Sequence, residues 1–231
     1  MYTKGDFHIH STYSDGNCTP IQIIKIAKRN DINIISLTDH NSMNGVYEAI
    51  IEGNKKGIKV IPGVELSTRF NTIRVHVLGY FPTEVFKNDI LKSCLNCVSN
   101  HNISKFNKIL KNELNIQYRS RKIDTSKGIE FLKYFGATVI LAHPVLLPRE
   151  EFENIASLDF DGIEAKYSSN NKEDTNFFVN YAKSHNLIYT AGSDFHTRVE
   201  LYRAHGNIGD VFLDKKEIST FLKFLYRKHK C

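Results

Sequence analysis

Short runs of β-branched and aromatic residues alternate along the chain with longer stretches of helical periodicity. The runs are FHI at 7–9, INIISLT at 32–38, IKVIPGVEL at 58–66, RVHVLGYF at 74–81, ATVILAH at 137–143, DGIEAKY at 161–167 and LIYTAGSD at 187–194. Their length and composition predict seven strands. Helices are predicted at 20–30, opening at Thr19-Pro20, at 43–56 ending at Gly57, at 125–135 ending at Gly136, and at 148–158, 171–186 and 214–229. Strands interleaved with helices imply mostly parallel pairing through right-handed crossovers, hence an α/β fold. Seven such units favour a barrel over an open sheet, and almost every notable His, Asp and Glu falls in or just after a strand, the end where barrels build their sites.

Residues 84–124 break the rhythm with a long helical pattern and no strand. About 40 residues exceed what one crossover needs, so this interval reads as a helical insertion, a cap over the barrel mouth. The 231 residues otherwise suffice for one core and a single domain spanning 1–231, with a composition, 41% hydrophobic and 24% charged, ordinary for a globular protein. The start, MYTKGDFHIH, has no apolar signal region, and nowhere do about 18 apolar residues run together, so neither secretion nor a membrane partner is expected. Cys18, Cys94, Cys97 and Cys231 are irregularly spaced, which fits a reducing cytoplasm; the pair Cys94-x-x-Cys97 lies in a helical stretch with no second pair at zinc-finger spacing. A net charge of +6 suits an anionic partner, although the lysines are spread along the chain.

Candidate chemistry concentrates at the strand ends. In DFHIHSTYSDG, His8 and His10 are two apart on a strand, so both imidazoles face one side and can share a cation, and Asp15 follows in a turn. In SLTDHN, Asp39 and His40 face opposite sides; His40 is the expected ligand, with Asp39 orienting a histidine or anchoring the loop. Glu65 in IPGVELS is a carboxylate in an apolar run, costly to bury unless a cation compensates it. His76 and His143 sit in the apolar runs VHVLGY and LAHP, where a lone histidine is more often packed than ligating. AGSDFH repeats the two-residue spacing with Asp194 and His196. Six of the ten histidines and three acids thus fall at strand ends from one end of the chain to the other, whereas His101, His185, His205 and His229 read as surface residues.

HIHSTYSDG, LTDHNS, IPGVELS, HVLGY, AHP and GSDFH, in this order, resemble the signature of the PHP superfamily, the polymerase and histidinol phosphatase domain, over residues 6 to about 200. IPGVELS followed by HVLGYF is similar to its TrpH-like branch of nucleoside 3′,5′-bisphosphate phosphatases and short-RNA 5′ exonucleases. The resemblance implies a distorted seven-stranded TIM-like (β/α) barrel with two or three divalent ions, Mn, Fe or Zn. One ion would be held by His8, His10, Glu65 and Asp194, a second by Glu65, His76 and His143, and a third by Asp15, His40 and His196. Two departures stand out: Thr197-Arg198 follows GSDFH where the branch usually has Gly, and the insert is short.

Such a chain is expected to hydrolyse phosphoesters of small phosphorylated molecules, nucleotides or short single-stranded oligonucleotide ends. A water between the cations, its pKa lowered toward about 7, would attack phosphorus in line. His196, His143 or a metal-bound water would protonate the leaving oxygen. Tyr167 and Ser168, in the loop KYSSNN, and Arg119, Arg121 and Arg198 are the expected substrate contacts. A histidinol-phosphatase-like phosphomonoesterase is the alternative within the same chemistry; a non-catalytic metal-bound accessory module is the alternative outside it.

Overall fold

Local signals set the first helix. In the computed structural model, which describes residues 2–110, 122–197 and 205–227, α1 (Pro20–Arg29) begins where Thr19 and Gln22 form a reciprocal capping box and proline occupies the first turn. Such a cap stabilises by about 1 kcal/mol. Its apolar stripe, Ile23, Ile24 and Ala27, is buried against Ile9, Ile35 and Leu37. The other elements follow in chain order: β1 (Lys4–Asp6), β2 (Ile34–Leu37), α2 (Val46–Lys56), β3 (Lys59–Phe70), β4 (Ile73–Tyr80), α3 (Asp89–Ser99), α4 (Ile103–Leu110) and α5 (Thr125–Tyr134). Then come β5 (Thr138–Leu141), α6 (Phe152–Ala156), β6 (Gly162–Tyr167), α7 (Lys172–Ser184), β7 (Ile188–Gly192), β8 (Leu213–Asp214) and α8 (Lys215–Arg227).

The strands are ordered β7-β6-β5-β4-β3-β2-β1-β8. Closure comes from the segments beyond β1 and β7: Phe7 N donates to Ala191 O and His10 N to Phe195 O, both at 2.9 Å, and Ile9 bridges Phe195 in parallel. Asp6 fastens this seam from within, its buried carboxylate accepting from Ser193 N and Gly209 N. Burial pushes that carboxyl up to about 6, against the lowering effect of its backbone donors. The barrel is therefore nearly closed, with an interior layer of Ile34, Ile61, Leu78, Tyr80 and Ile140 that packs with Phe221 and Leu225 of α8.

Three features depart from the sequence reading. First, β4 is antiparallel to both β3 and β5, because only Asn71-Thr72 separates it from β3 and a turn that short can make only a hairpin. Second, the sheet has an eighth strand, β8, which pairs antiparallel with Lys4 and Gly5. Third, the described part of the insert packs on the outer face of the sheet, with α3 bordering a cleft at the mouth beside His40. Leu91, Cys94, Leu95, Val98 and Phe106 of α3 and α4 join one cluster with Val64, Leu66, Val75 and Val77, the outward residues of β3 and β4. Phe106 meets Phe131 of α5 edge-on at 5.1 Å. Cys94 and Cys97 belong to this packing as free thiols, and burial pushes the Cys94 thiol up to about 12.

Candidate metal centre

Alternation along the strands delivers one polar ring to the mouth. His8 and His10 follow β1 on the face opposite Ile9, His40 follows β2, and Glu65 lies on β3 with His40 bridged beside it. Because β4 is reversed, His76 enters the ring from the first half of its strand, opposite Ser67. His143 follows β5, and Asp194 and His196 follow β7. Asp194 and His143 occupy left-handed backbone, at φ 53° and 27°, an arrangement that for such residues costs of order 1–3 kcal/mol and persists only where the surroundings enforce it.

Glu65 is the centre of the ring. Its Oε1 lies 3.0 Å from His76 Nδ1 and 3.1 Å from His143 Nε2. Its Oε2 lies 3.3 Å from His8 Nε2, 3.1 Å from His10 Nε2 and 3.0 Å from His40 Nδ1. Asp194 Oδ1 is 3.3 Å from His8 Nε2 and 3.1 Å from His10 Nε2. At the outer edge, Asp15 approaches His10 and His40 at 3.6 Å and His196 at 3.3 Å. All nine residues expected as ligands therefore meet in one place. Ligand-competent atoms lie within 4.8 Å of one another in the sets His8–His10–Glu65–Asp194, His40–Glu65–His76 and His10–Asp15–His40–His196.

These atoms suit cations better than they suit each other. Glu65 Oε2, Asp194 Oδ1, His40 Nδ1 and His143 Nδ1 are buried without a hydrogen bond of acceptable geometry, each a cost of about 1–3 kcal/mol if nothing else satisfies it. His8 Nε2 faces His10 Nε2 at 3.1 Å, and His76 Nδ1 faces His143 Nε2 at 3.3 Å, so lone pairs converge. A set of imidazoles and carboxylates of this kind fits Mn, Fe or Zn.

A second layer of residues fixes the first. Glu164, fully buried on β6, lies 3.0 Å from His8 Nδ1 and accepts from His143 N at 2.8 Å. With its Nδ1 proton on Glu164, His8 keeps the Nε2 lone pair for the interior. A Cβ at position 192 would run into Glu164 Oε1 and His8 Cβ, so the close packing of this pair requires Gly192. Asp39 accepts from Ser11 N, Ser11 Oγ and Ser14 Oγ at 2.7 Å and so anchors the loop that carries Asp15. His196 Nδ1 lies 2.7 Å from Asp194 O, which leaves its Nε2 toward Asp15.

The charges are strongly coupled. Burial would lower the pKa of His8, but the carboxylates of Glu164, Glu65 and Asp194 raise it well above the ordinary imidazole value. Burial opposes ionisation of Glu65 and Asp194, yet the surrounding imidazoles hold both well below the usual carboxylate range.

Two expectations are revised. Tyr167, expected at the substrate, is only 2% exposed and donates to Asp194 Oδ2 at 2.9 Å, so it faces the ring. His205, read as a surface residue, lies 2.9 Å from the same Oδ2 and stacks on His196 at 4.2 Å. His143 and His196 both sit within the ring, with His143 Nε2 3.1 Å from Glu65 and His196 Nε2 3.3 Å from Asp15. Ser168 is half-buried and accepts from Gly206 N at 3.2 Å. Arg119, Arg121 and Arg198 lie outside the described residues.

Two clefts open from the ring. One, of about 450 Å³, runs between Tyr13, His40 and Asn44 and the α3 residues Lys92 and Asn96; the other, of about 360 Å³, runs along β3 and β4 past Asp15, His76, Arg69 and Arg74. A larger cavity of about 1230 Å³ lies under α8 beside Tyr2 and Leu222, at the opposite end of β1 from the ring, and contains none of these ligand atoms.

The chain is similar to several known proteins. Over 79 residues the chain is 38% identical to a 5′-3′ exoribonuclease of Haemophilus influenzae, covering 34% of this chain and 29% of that protein. Over 74 residues it is 36% identical to a 3′,5′-nucleoside bisphosphate phosphatase of Chromobacterium violaceum, covering 32% and 26%. The matched segment thus spans under a third of either relative. A solved amidohydrolase structure from Chromobacterium violaceum superposes with a TM-score of 0.77 at 19% identity, over 97% of this chain and 96% of that one. The family model described as the PHP domain matches residues 6–208, a span that contains the whole ring, and the chain therefore belongs to the PHP domain family.

Proposed function

We propose that the chain is a metal-dependent phosphoester hydrolase whose substrates are small phosphorylated molecules, nucleotides or the ends of short single-stranded oligonucleotides. The observation that carries this reading is Glu65, whose two oxygens face two separate groups of imidazoles and so suit a carboxylate bridging neighbouring cations. Bound there, two or three Mn, Fe or Zn ions would supply Lewis acidity toward a phosphoryl group and a water acidified toward neutrality. His8, His10, Glu65 and Asp194 would hold one ion, Glu65, His76 and His143 a second, and Asp15, His40 and His196 a third. Asp15 is about half exposed, so the third position faces the solvent and the incoming substrate. The names of the two curated relatives, an exoribonuclease and a bisphosphate phosphatase, support a nucleotide-like substrate.

In this reading the insert 84–124 is a cap by virtue of its edge, with Lys92 and Asn96 walling the cleft beside His40. A terminal phosphate reaches such a mouth, whereas the interior of a duplex does not. The decisive assay compares adenosine 3′,5′-bisphosphate, a 5′-phosphorylated dinucleotide and histidinol phosphate at matched concentrations with Mn. The nucleotides are expected to turn over faster; faster histidinol phosphate hydrolysis would assign the chain to the phosphomonoesterases, and no turnover of any would end the reading.

A further inference from the structure

The β3–β4 hairpin carries two arginines whose placement the fold does not explain. Glu65, Ser67 and Arg69 occupy alternate positions on β3, and His76 and Arg74 occupy alternate positions on β4, so all five side chains belong to the face that bears the metal ring. The register sets Arg69 directly opposite Arg74. Like charges in that relation destabilise an antiparallel pair, because their Cβ atoms stand only about 4.5–5.5 Å apart. A surface would relieve this with a carboxylate. Yet among the described residues neither guanidinium makes an ion pair, and the side-chain hydrogen bond that Arg69 makes runs from Nη1 to the carbonyl of Thr72 in the same hairpin.

The two arginines also stand in a built setting. They line the cleft of about 360 Å³ that begins at Asp15, His40 and His76. Asn41 stiffens its wall, accepting from Ser67 N at 2.9 Å and donating to Ser67 Oγ at 3.2 Å. A strand rises about 3.3–3.4 Å per residue, so Arg74 begins about 7 Å along the wall from His76. That is the scale of one nucleotide unit.

We propose that Arg69 and Arg74 form a clamp for a second anionic group of the substrate, held one unit away from the phosphate that reacts at the metal ring. The planar, permanently charged guanidinium suits paired contacts to phosphate oxygens. The bound anion would cancel the repulsion that the bare hairpin carries. Substrates with two anions would then be preferred over those with one, and the preference would reside in binding. This inference rests on the phosphoester-hydrolase reading, of which it specifies the substrate class.

The test uses the Mn-loaded full chain and an Arg69→Gln/Arg74→Gln variant. Hydrolysis of p-nitrophenyl phosphate, which carries one anion, should be unchanged in the variant. For adenosine 3′,5′-bisphosphate the variant should lose about tenfold or more in kcat/KM, chiefly through KM, since a charge-assisted hydrogen bond contributes about 1.5–3 kcal/mol. Calorimetric binding of adenosine 3′,5′-bisphosphate and of adenosine 5′-monophosphate is measured in parallel, independent of turnover. Only the bisphosphate should weaken, with a shallower dependence on salt. Without ligand the variant should melt at the same temperature as the parent or higher, because the opposed charges are gone. Equal binding of the bisphosphate by variant and parent overturns the clamp, as does an equal loss on both nucleotides. If the parent hydrolyses neither substrate, the hydrolase reading fails, and the binding data still decide whether the anion site exists.

Discussion

Glu164 shows how much a single side chain outside the ring contributes. It holds the Nδ1 side of His8 and the backbone of His143 at once, so it sets the direction of two rings that approach Glu65 from different strands. Glu164→Gln keeps the shape but removes the charge that makes His8 basic. Loss of such a partner lowers metal affinity by about 10–100-fold. Titration of the metal-free variant with Mn against a chelating dye should show that weakening with an unaltered circular dichroism spectrum. Unchanged affinity would remove Glu164 from the centre. Glu164 in GIEAKY is, like Glu65, a carboxylate in an apolar strand, but it lies in mid-strand and not at the strand end where the other polar residues of the ring gather. His205 had no such signal. Its nine-residue separation from His196 matches no strand or helix period, and its meeting with Asp194 depends on tertiary geometry alone.

At the level of elements, the periodic signals were dependable and the pairing directions were not. Six of the seven predicted strands and all six predicted helices appear, with ends displaced by a few residues; the first strand lies at Lys4–Asp6, ahead of the predicted 7–9, where only Ile9 makes an isolated bridge. Alternation was enough to place His8 with His10 on one face. Direction required attention to the link between β3 and β4, where Asn71 takes φ 53° in a tight turn. β8 spans two residues, too few to carry any period. The insert was legible as helical, but its docking site was not, since an amphipathic stripe states that a face is buried without stating against what.

For the molecule as a whole, the ring couples metal to stability. Ions that bind only the folded chain stabilise it by mass action, so chelation should lower the melting temperature and Mn should restore it. The pH dependence has a definite sign. In the metal-free fold the pKa of His8 is raised above its unfolded value, so the stability contributed by its proton is fully present below the unfolded value of about 6.5 and is lost as pH rises through the folded one. Metal binding displaces that proton and becomes easier in the same direction. The gap between the melting temperatures of the loaded and metal-free protein should therefore widen from about pH 6 to about pH 8. A gap that narrows would contradict the ligand role of His8.

The seam at which Ile9 meets Phe195 also has a consequence in time. A ribosome releases His8 and His10 long before Asp194, so the two imidazoles wait for the carboxylate that they share while the residues between are made. Until Asp194 has emerged, the set His8–His10–Glu65–Asp194 lacks one of its members, so that part of the ring cannot assemble on a nascent chain that stops short of it.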